Sequence, residues 1–272
     1  MMFCNITEKI LYKYRSTSQI SEIIRLISNG ELWFSSAKSF NDPFDTAITY
    51  NFDGINSPIA EKWAIVAANR HMPNHSQSEK DKFIAERLKQ FRNDPDFAES
   101  SRQEAIERNY NSFGICSLTT KNDNLLMWAH YANKHSGLCI GLSVEVMWKV
   151  TQEIIRRNHI LDLIKVTYTK EMPKHKFFEA MLASDYTHVM DFVKTKSENW
   201  EYENEFRFVC LDSSNISIEF GSELVTEIIF GCKMQKEEKQ LLADYCRLNY
   251  PRIRLCEARK DNQAFQLRID SN

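Results

Sequence analysis

The sequence predicts a single α+β domain spanning residues 1–272, with a mixed or antiparallel sheet as its core and a helical insertion at about residues 59–110. Segments with strand-like composition cluster in the second half and do not alternate regularly with helices. Residues 59–110 are instead polar and helix-forming. The chain has 272 residues, of which 43% are hydrophobic, so it can bury a large core without disulfides.

The amino-terminal part is predicted to form a strand, a helix, a second strand and a loop. Isoleucines recur at helical spacing from Ile20 to Ile27, and Asn29-Gly30 is a typical helix end. The run Asn41-Asp42-Pro43 favours a turn. The predicted elements are a strand at 10–15, a helix at 20–29, a strand at 32–36 and a loop at 40–45.

The polar segment is predicted to break near Met72-Pro73-Asn74, and apolar patterning predicts the elements that follow it. The predicted strands are at 113–118, 137–142, 165–169, 205–211, 216–220, 225–230 and 252–257. The predicted helices are at 125–134, 176–197 and 235–248.

Composition and charge argue against several classes of protein. Only 7 glycines are present, and neither GxGxxG nor GxxxxGK[ST] occurs, so a Gly-rich phosphate loop is not expected. A net charge of −2 argues against a protein that coats nucleic acid nonspecifically. No run of about 18 apolar residues occurs, so no membrane span is expected. The 7 cysteines are scattered, which predicts reduced thiols and a cytoplasmic location.

Two predicted strands end in residues that can bind a ligand. Arg15 ends the first strand, and Ser35 and Ser36 end the second. The planar guanidinium of arginine can hold a phosphate or carboxylate, and two hydroxyls can hold a ligand's polar edge. The alternative is that Arg15 is a solvated surface residue and that the loop at 40–45 is only a turn.

Two later segments carry possible acid–base groups. His130, on the predicted helix at 125–134, can act as an acid or a base, or can be a core residue. Glu203, Glu205 and Arg207 alternate along a segment predicted as a strand, so they share one face. Paired carboxylates beside an arginine can orient a sugar hydroxyl and stabilise positive charge. The alternative is a ladder of ion pairs on a solvated face.

A metal centre is not expected from the sequence. It has neither an HExxH motif nor a Cys/His pairing with zinc spacing. A zinc site would need His130, His135 and Glu203, or a similar set, to converge. Serine–histidine catalysis lacks its GxSxG motif.

Several blocks of sequence, taken in order, resemble the bacterial family called domain of unknown function 2971. The blocks are Leu11-Tyr12-Lys13-Tyr14-Arg15, Phe34-Ser35-Ser36 with Phe40-Asn41-Asp42-Pro43-Phe44-Asp45, Cys116-Ser117-Leu118, Leu126-Met127-Trp128-Ala129-His130-Tyr131 with His135-Ser136-Gly137-Leu138-Cys139-Ile140-Gly141, and Trp200 with Tyr202-Glu203-Asn204-Glu205-Phe206-Arg207. The resemblance spans about residues 10–234. This family has no settled activity to carry over.

A more distant resemblance is to ADP-ribosyltransferases, including toxins that modify DNA bases. It depends on the order of an arginine on the first strand, hydroxyl residues on a later strand and a glutamate near a late strand. The resemblance implies a split sheet, NAD as co-substrate and a nucleic-acid or protein acceptor. It also implies an effector that acts as a toxin or in phage defence.

The resemblance implies binding roles for the matching residues. Arg15 would bind the pyrophosphate or ribose of NAD, and Ser35 or Ser36 would contact the nicotinamide side. Tyr14 or Tyr131 would stack on the nicotinamide ring.

The catalytic roles implied fall on the later blocks. Glu203 or Glu205 would orient the ribose 2′-hydroxyl and stabilise an oxocarbenium-like transition state. His130 is a further catalytic candidate, and Arg207 is a further cofactor-binding candidate.

Two other functions remain open on the sequence alone. One is a nuclease or related effector that uses Asp42, Asp45, Glu203 and Glu205 with a divalent ion. The other is a non-enzymatic module in which the same blocks bind a nucleotide or a partner.

Overall fold

The computed structural model describes residues 6–155, 160–183, 187–211 and 213–271. The helices are α1 (Ile20–Asn29), α2 (Pro58–His71), α3 (Gln77–Asn93), α4 (Pro95–Ser112), α5 (Leu125–Tyr131), α6 (Val144–Ile155), α7 (Phe177–Leu182), α8 (Thr187–Lys194) and α9 (Lys236–Asn249). The strands are β1 (Ile10–Arg15), β2 (Glu31–Ser36), β3 (Thr49–Asn51), β4 (Phe113–Thr119), β5 (Leu138–Ser143), β6 (Ile160–Lys165), β7 (Thr167–Thr169), β8 (Lys174–Lys176), β9 (Thr195–Ser197), β10 (Glu205–Leu211), β11 (Ile216–Glu219), β12 (Val225–Phe230), β13 (Arg254–Lys260) and β14 (Leu267–Ser271).

The chain divides into two compact units. Unit 1 comprises the segments up to Ser39, from Ser112 to Val166 and from Glu198 onward. Unit 2 comprises Phe40–Asn111 and Thr167–Ser197. The predicted helical insertion at 59–110 therefore lies inside unit 2, which also takes in a second, later segment of the chain. The predicted α+β class is confirmed, with strands and helices interleaved irregularly.

Unit 1 is built on a ten-stranded mixed sheet. Its strands follow the order β11-β2-β4-β1-β5-β12-β13-β14, while β10 pairs with β4 and β6 pairs with β10. Only the β12–β13 pairing is parallel among the pairings of this sheet in the described residues. The predicted mixed or antiparallel core is thus confirmed.

The sheet forks along one edge of β4. Near the start of β4, Gly114 and Ile115 pair with β2, whereas Thr119 at its other end pairs with Tyr12 of β1. Because β1 and β2 diverge from this edge, the peptide groups between those points face the gap. Lys13 reaches into the gap, where its Nζ donates to the carbonyl oxygen of Ser117 at 2.9 Å.

One face of the sheet, the core face, carries Leu11, Ile140 and Phe206. Helices α1, α6 and α9 contribute to the same apolar cluster, because each turns one apolar stripe inward. On α1 the buried stripe is Ile23, Leu26 and Ile27. This packing accounts for most of the buried side chains of unit 1 and holds the central strands in place.

The opposite face, the second face, carries a smaller cluster around Trp128 of α5. The fully buried Trp128 ring packs edge-on against Tyr14 at 5.2 Å, and its Nε1 donates to the carbonyl oxygen of Asn122 at 2.8 Å. Asn124 caps α5 by accepting from two backbone N–H groups. Helix α5 is therefore fixed on this face by both packing and capping.

Unit 2 has its own aromatic core. Phe91, Phe177, Phe178 and Trp63 pack ring against ring, next to small alanines along α2. The short parallel pair of β3 with β8 joins the two segments of unit 2, and a second parallel pair, β7 with β9, lies within its later segment. The predicted break at residues 72–74 is confirmed, since α2 ends at His71.

The structure corrects several predicted elements. The helix predicted at 176–197 contains two shorter helices, α7 and α8, followed by β9, and residues 184–186 lie outside the described residues. The strand predicted at 165–169 is divided between β6 and β7. Helix α6 and strand β14 were not predicted.

Candidate functional site

The candidate site lies where β4 and β10 meet on the second face. Glu205, the first residue of β10, is opposite Thr119, the last residue of β4. The chain enters β10 through a 3-10 turn, Glu198–Glu203, and Asn204 has a positive φ of 45°. The prediction that Glu203 lies on a strand is therefore wrong, whereas Glu205 and Arg207 share a strand face as predicted.

The turn before β10 is held by polar contacts to neighbouring segments. The hydroxyl of Thr119 donates to the carbonyl oxygen of Glu203, and Asn124 Nδ2 donates to that of Tyr202 at 2.9 Å. These bonds satisfy backbone acceptors that the turn leaves out of the sheet. The position of Glu203 is thus set by β4 and by the start of α5.

Glu203 is a buried carboxylate with a defined donor. It is only 3% exposed, and the hydroxyl of Tyr131 donates to its Oε1 at 2.7 Å. Tyr131 is the last residue of α5, whose cap and buried Trp128 fix its orientation. A carboxylate withdrawn from water costs free energy unless hydrogen bonds hold it, so this arrangement is built into the fold.

Glu205 and Arg207 form a buried ion pair. Arg207 Nε and Nη2 donate to the two oxygens of Glu205 at 3.0 and 3.2 Å. Arg207 is 0% exposed and Glu205 is 3% exposed. The two side chains are not a ladder on a solvated face. Their paired geometry gives Glu205 a structural partner.

Tyr12 and Glu227 extend the polar surface across the second face. Tyr12 lies opposite Thr119 on β4 and opposite Gly141 on β5, and Gly141 lies opposite Glu227 on β12. Only glycine leaves room here, because a Cβ at position 141 would lie 2.6 Å from Glu227 Cγ. Burial, and then the Glu227 carboxylate, raise the pKa of the Tyr12 hydroxyl.

Glu227 is the residue on this face that sequence reasoning missed. Its Oε2 accepts from Arg254 Nε at 2.9 Å, while Oε1 is buried without a hydrogen-bond partner among the described residues. The sequence does contain a signal for this residue, since Glu227 interrupts the apolar run Val225–Phe230. A charged residue inside an otherwise buried strand needs a partner or a function.

The two basic residues of β1 lie on the core face of the sheet, near the fork. Lys13 and Arg15 alternate with Tyr12 and Tyr14 along β1, so they point toward the core face and not the second face. Arg15 lies 4.0 Å from Glu22 on α1. Burial lowers the pKa of the Lys13 ammonium, and the neighbouring Arg15 guanidinium also lowers it.

Several predicted residues have described partners other than Glu203. The hydroxyl of Ser35 donates to the carbonyl oxygen of Ile115 at 3.2 Å, and the backbone N–H of Ser36 donates to Asn215 Oδ1. Tyr14 is buried against Trp128, and its hydroxyl donates to the carbonyl oxygen of Lys121. These contacts give Tyr14, Ser35 and Ser36 roles in packing and in strand pairing.

His130 stays a catalytic candidate without a described contact to the glutamates. It lies on the exposed side of α5, with its ring 6.2 Å from that of Tyr131. No bond from His130 to either glutamate is found in the described residues. The structure therefore brings together Tyr131, Glu203, Glu205 and Arg207, and it directs Arg15 to the other face of the sheet.

The described residues offer no cluster of three or more His, Cys, Asp or Glu side chains that could hold a metal ion. Asp42 instead accepts from the backbone N–H of Phe44 at 2.8 Å, as in an Asx turn. Asp45 pairs with Lys196 at 3.2 Å, with both side chains buried within unit 2. The described contacts therefore give structural partners to Asp42 and Asp45, two of the carboxylates proposed for a nuclease.

Comparison with known proteins adds one finding. The sequence profile of the family described as "Protein of unknown function (DUF2971)" matches residues 127–208. The predicted resemblance to this family is confirmed. The DUF2971 match covers Tyr131, Glu203, Glu205 and Arg207, whereas the earlier blocks lie outside it.

No match to a curated protein and no match to a solved structure was found. The resemblance to ADP-ribosyltransferases therefore has no support from these comparisons. Among the residues that the structure describes, no helix is both long and apolar enough to cross a membrane.

Proposed function

We propose that unit 1 is a cytoplasmic enzyme that cleaves the bond between nicotinamide and ribose in NAD and transfers ADP-ribose to an acceptor. The observation behind the proposal is the buried Glu203 carboxylate, held by the Tyr131 hydroxyl at 2.7 Å. An acceptor in nucleic acid or protein would make the chain an effector of the toxin or phage-defence kind.

The chemistry requires a carboxylate near the ribose. The bond from ribose C1′ to the nicotinamide nitrogen breaks, and its electron pair leaves with the nicotinamide, whose positive charge is neutralised. The ribose becomes oxocarbenium-like, and an acceptor oxygen or nitrogen then bonds to C1′ and releases its proton. A carboxylate accepts a hydrogen bond from the ribose 2′-hydroxyl and stabilises the positive charge.

We assign this role to Glu203, whose carboxylate helix α5 orients through Tyr131. Both oxygens of Glu205 accept from the Arg207 guanidinium, which balances the charge of that carboxylate inside the protein. The hydroxyl of Tyr131 donates to Glu203 Oε1 and orients this carboxylate. Glu227, whose Oε2 pairs with Arg254, adds a buried Oε1 acceptor on the same face, which favours a ligand with hydroxyl groups.

The roles of the other residues change with the geometry. Arg15 receives no phosphate-binding role, because it points to the core face and lies near Glu22. Tyr14 receives no stacking role, because Trp128 covers its ring. Tyr131 becomes the residue that orients Glu203, and Arg207 becomes the partner of Glu205.

Nicotinamide release from NAD tests the proposal. The purified protein is incubated with NAD and, in separate reactions, with an added oligonucleotide or protein extract. Glu203→Gln should lower the rate by about 10²–10³-fold, as expected for loss of an electrostatic stabiliser. Tyr131→Phe should lower it roughly tenfold, the effect of about 1.4 kcal/mol in the barrier. Glu145→Gln, on the exposed part of α6, is the control.

The possible outcomes separate the three functions. Nicotinamide release that Glu203→Gln abolishes, in a protein that stays folded, supports the transferase. Cleavage of the oligonucleotide that requires Mg²⁺ or Mn²⁺ would replace it with the nuclease. Stabilisation by NAD without nicotinamide release in any reaction would replace it with a binding module.

A further inference from the structure

A cavity of about 540 Å³ opens on unit 1, and Glu203 is not among the residues that line it. Its walls come from the loop after α5, the loop after β12 and the hairpin that joins β13 to β14. The volume is in the range of small-molecule sites. The lining residues used below are His135, Lys233, Lys260, Asp261 and Phe265.

His135 is held in this wall by the main chain. It has a positive φ of 73°, its N–H donates to the carbonyl oxygen of Trp128 at 3.1 Å, and its own carbonyl accepts from the N–H of Lys233 at 2.9 Å. The imidazole ring lies parallel to the Trp128 ring at 6.5 Å. Its Nδ1 is buried without a hydrogen-bond partner among the described residues.

Positive charge gathers around this ring. Burial lowers the pKa of His135, and the ammonium groups of Lys233 and Lys260 lower it further. Neither lysine makes an ion pair with any residue that the structure describes. Two lysines that lack acidic partners and face one cavity favour an anion there.

The acidic residue of the cavity does not neutralise the lysines. Asp261 accepts from Arg268 Nε, from Gln266 Nε2 and from two backbone N–H groups of its own hairpin. These bonds lower the pKa of the Asp261 carboxyl, first through the backbone N–H of Gln263. The carboxylate is therefore committed to the turn that shapes the wall.

The hairpin also presents an aromatic ring. Phe265 is fully exposed at the tip, and Leu125 contributes a further exposed apolar side chain to the lining. An exposed phenylalanine beside a cationic cavity matches a ligand that joins a flat ring to an anionic group, since aromatic faces stack on bases.

We propose that this cavity is a second ligand site, which binds a nucleotide through its phosphate. The phosphate lies between Lys233, Lys260 and His135, and the base stacks on Phe265. Lysine side chains act as point charges for phosphate, and the His135 ring supplies a further donor once it is protonated. The site is separate from Glu203, so it goes beyond the proposed transferase activity.

Isothermal titration of the full chain with AMP, at low ionic strength, tests the site. Lys233→Met and Lys260→Met should each weaken AMP binding at least fivefold, because each removes one phosphate contact. Phe265→Ser should weaken binding of AMP but leave binding of inorganic phosphate unchanged. Lys9→Met, at an exposed lysine outside the cavity, should leave both unchanged.

Two further measurements separate this site from the proposed transferase site. Glu203→Gln should leave AMP affinity unchanged, and AMP binding should move the NMR signals of the His135 ring. The proposal is overturned if AMP does not bind at millimolar concentration, or if adenosine binds as tightly as AMP. It is also overturned if Glu203→Gln weakens binding while the two lysine variants do not.

Discussion

Replacing Arg207 with methionine tests whether the buried ion pair at the site supports the fold. Arg207 is 0% exposed, and its guanidinium makes two hydrogen bonds to Glu205, itself 3% exposed. Arg207→Met leaves a buried carboxylate without these donors, which costs about 3–5 kcal/mol in the free energy of unfolding. For a chain of this size that corresponds to a fall of roughly 10 °C in Tm.

Urea unfolding followed by circular dichroism measures the loss, and two further variants define it. Arg259→Met removes an exposed arginine whose pair with Glu257 is 3.2 Å long, and it should cost less than about 1 kcal/mol. The double variant Glu205→Leu with Arg207→Met should recover at least about 1.5 kcal/mol relative to the sum of the single changes. A loss for Arg207→Met no larger than that for Arg259→Met would refute the reasoning.

Two further predictions concern the backbone and pH. Gly30→Ala should lower the free energy of unfolding by at least about 2 kcal/mol, because φ is 64° and the new Cβ would lie 2.2 Å from the Gly221 carbonyl oxygen. Gly221→Ala has no atom within 4 Å of the new Cβ, but its φ of 81° and ψ of 156° lie in a region essentially confined to glycine, so it should cost about 1–3 kcal/mol through backbone strain alone. A loss for Gly30→Ala below about 1 kcal/mol in urea unfolding would contradict the steric argument. The lowered pKa of His135 means that the folded state binds fewer protons than the unfolded state below about pH 6.5, so stability falls as pH falls through that range. Thermal unfolding from pH 7.5 to 5 should therefore show a smaller loss for His135→Gln than for the natural protein, and identical profiles would count against this account.

The carboxylates of the site were predicted from pattern, but their unequal environments were not. Alternation placed Glu205 and Arg207 on one face of a strand, and β10 confirms it. The same pattern put Glu203 on that strand, whereas it lies in a 3-10 turn. The difference follows from Thr119 and Asn124, whose side chains bind the carbonyl groups of the turn from distant segments. Such contacts have no signature in the local sequence.

Arg15 shows the limit of reasoning from residue order. The sequence places an arginine, two serines and a glutamate in the order that the ADP-ribosyltransferase resemblance requires. Order along the chain does not specify which face of a sheet each residue occupies. The register between β1 and β4 sets Tyr12 beside Thr119, and this turns Arg15 away from the second face.

The sequence by itself determined the α+β class, most of the strands around the site and the resemblance to DUF2971. Hydrophobic periodicity, glycine caps and turn residues are local features of the sequence, so they predict helices and strands without a structure. The tertiary structure alone decided that Tyr131 holds Glu203, that Arg207 neutralises Glu205 and that Glu227 faces Tyr12 across Gly141. Those contacts join residues far apart in the chain, and strand register and burial, which are properties of the whole sheet, determine them.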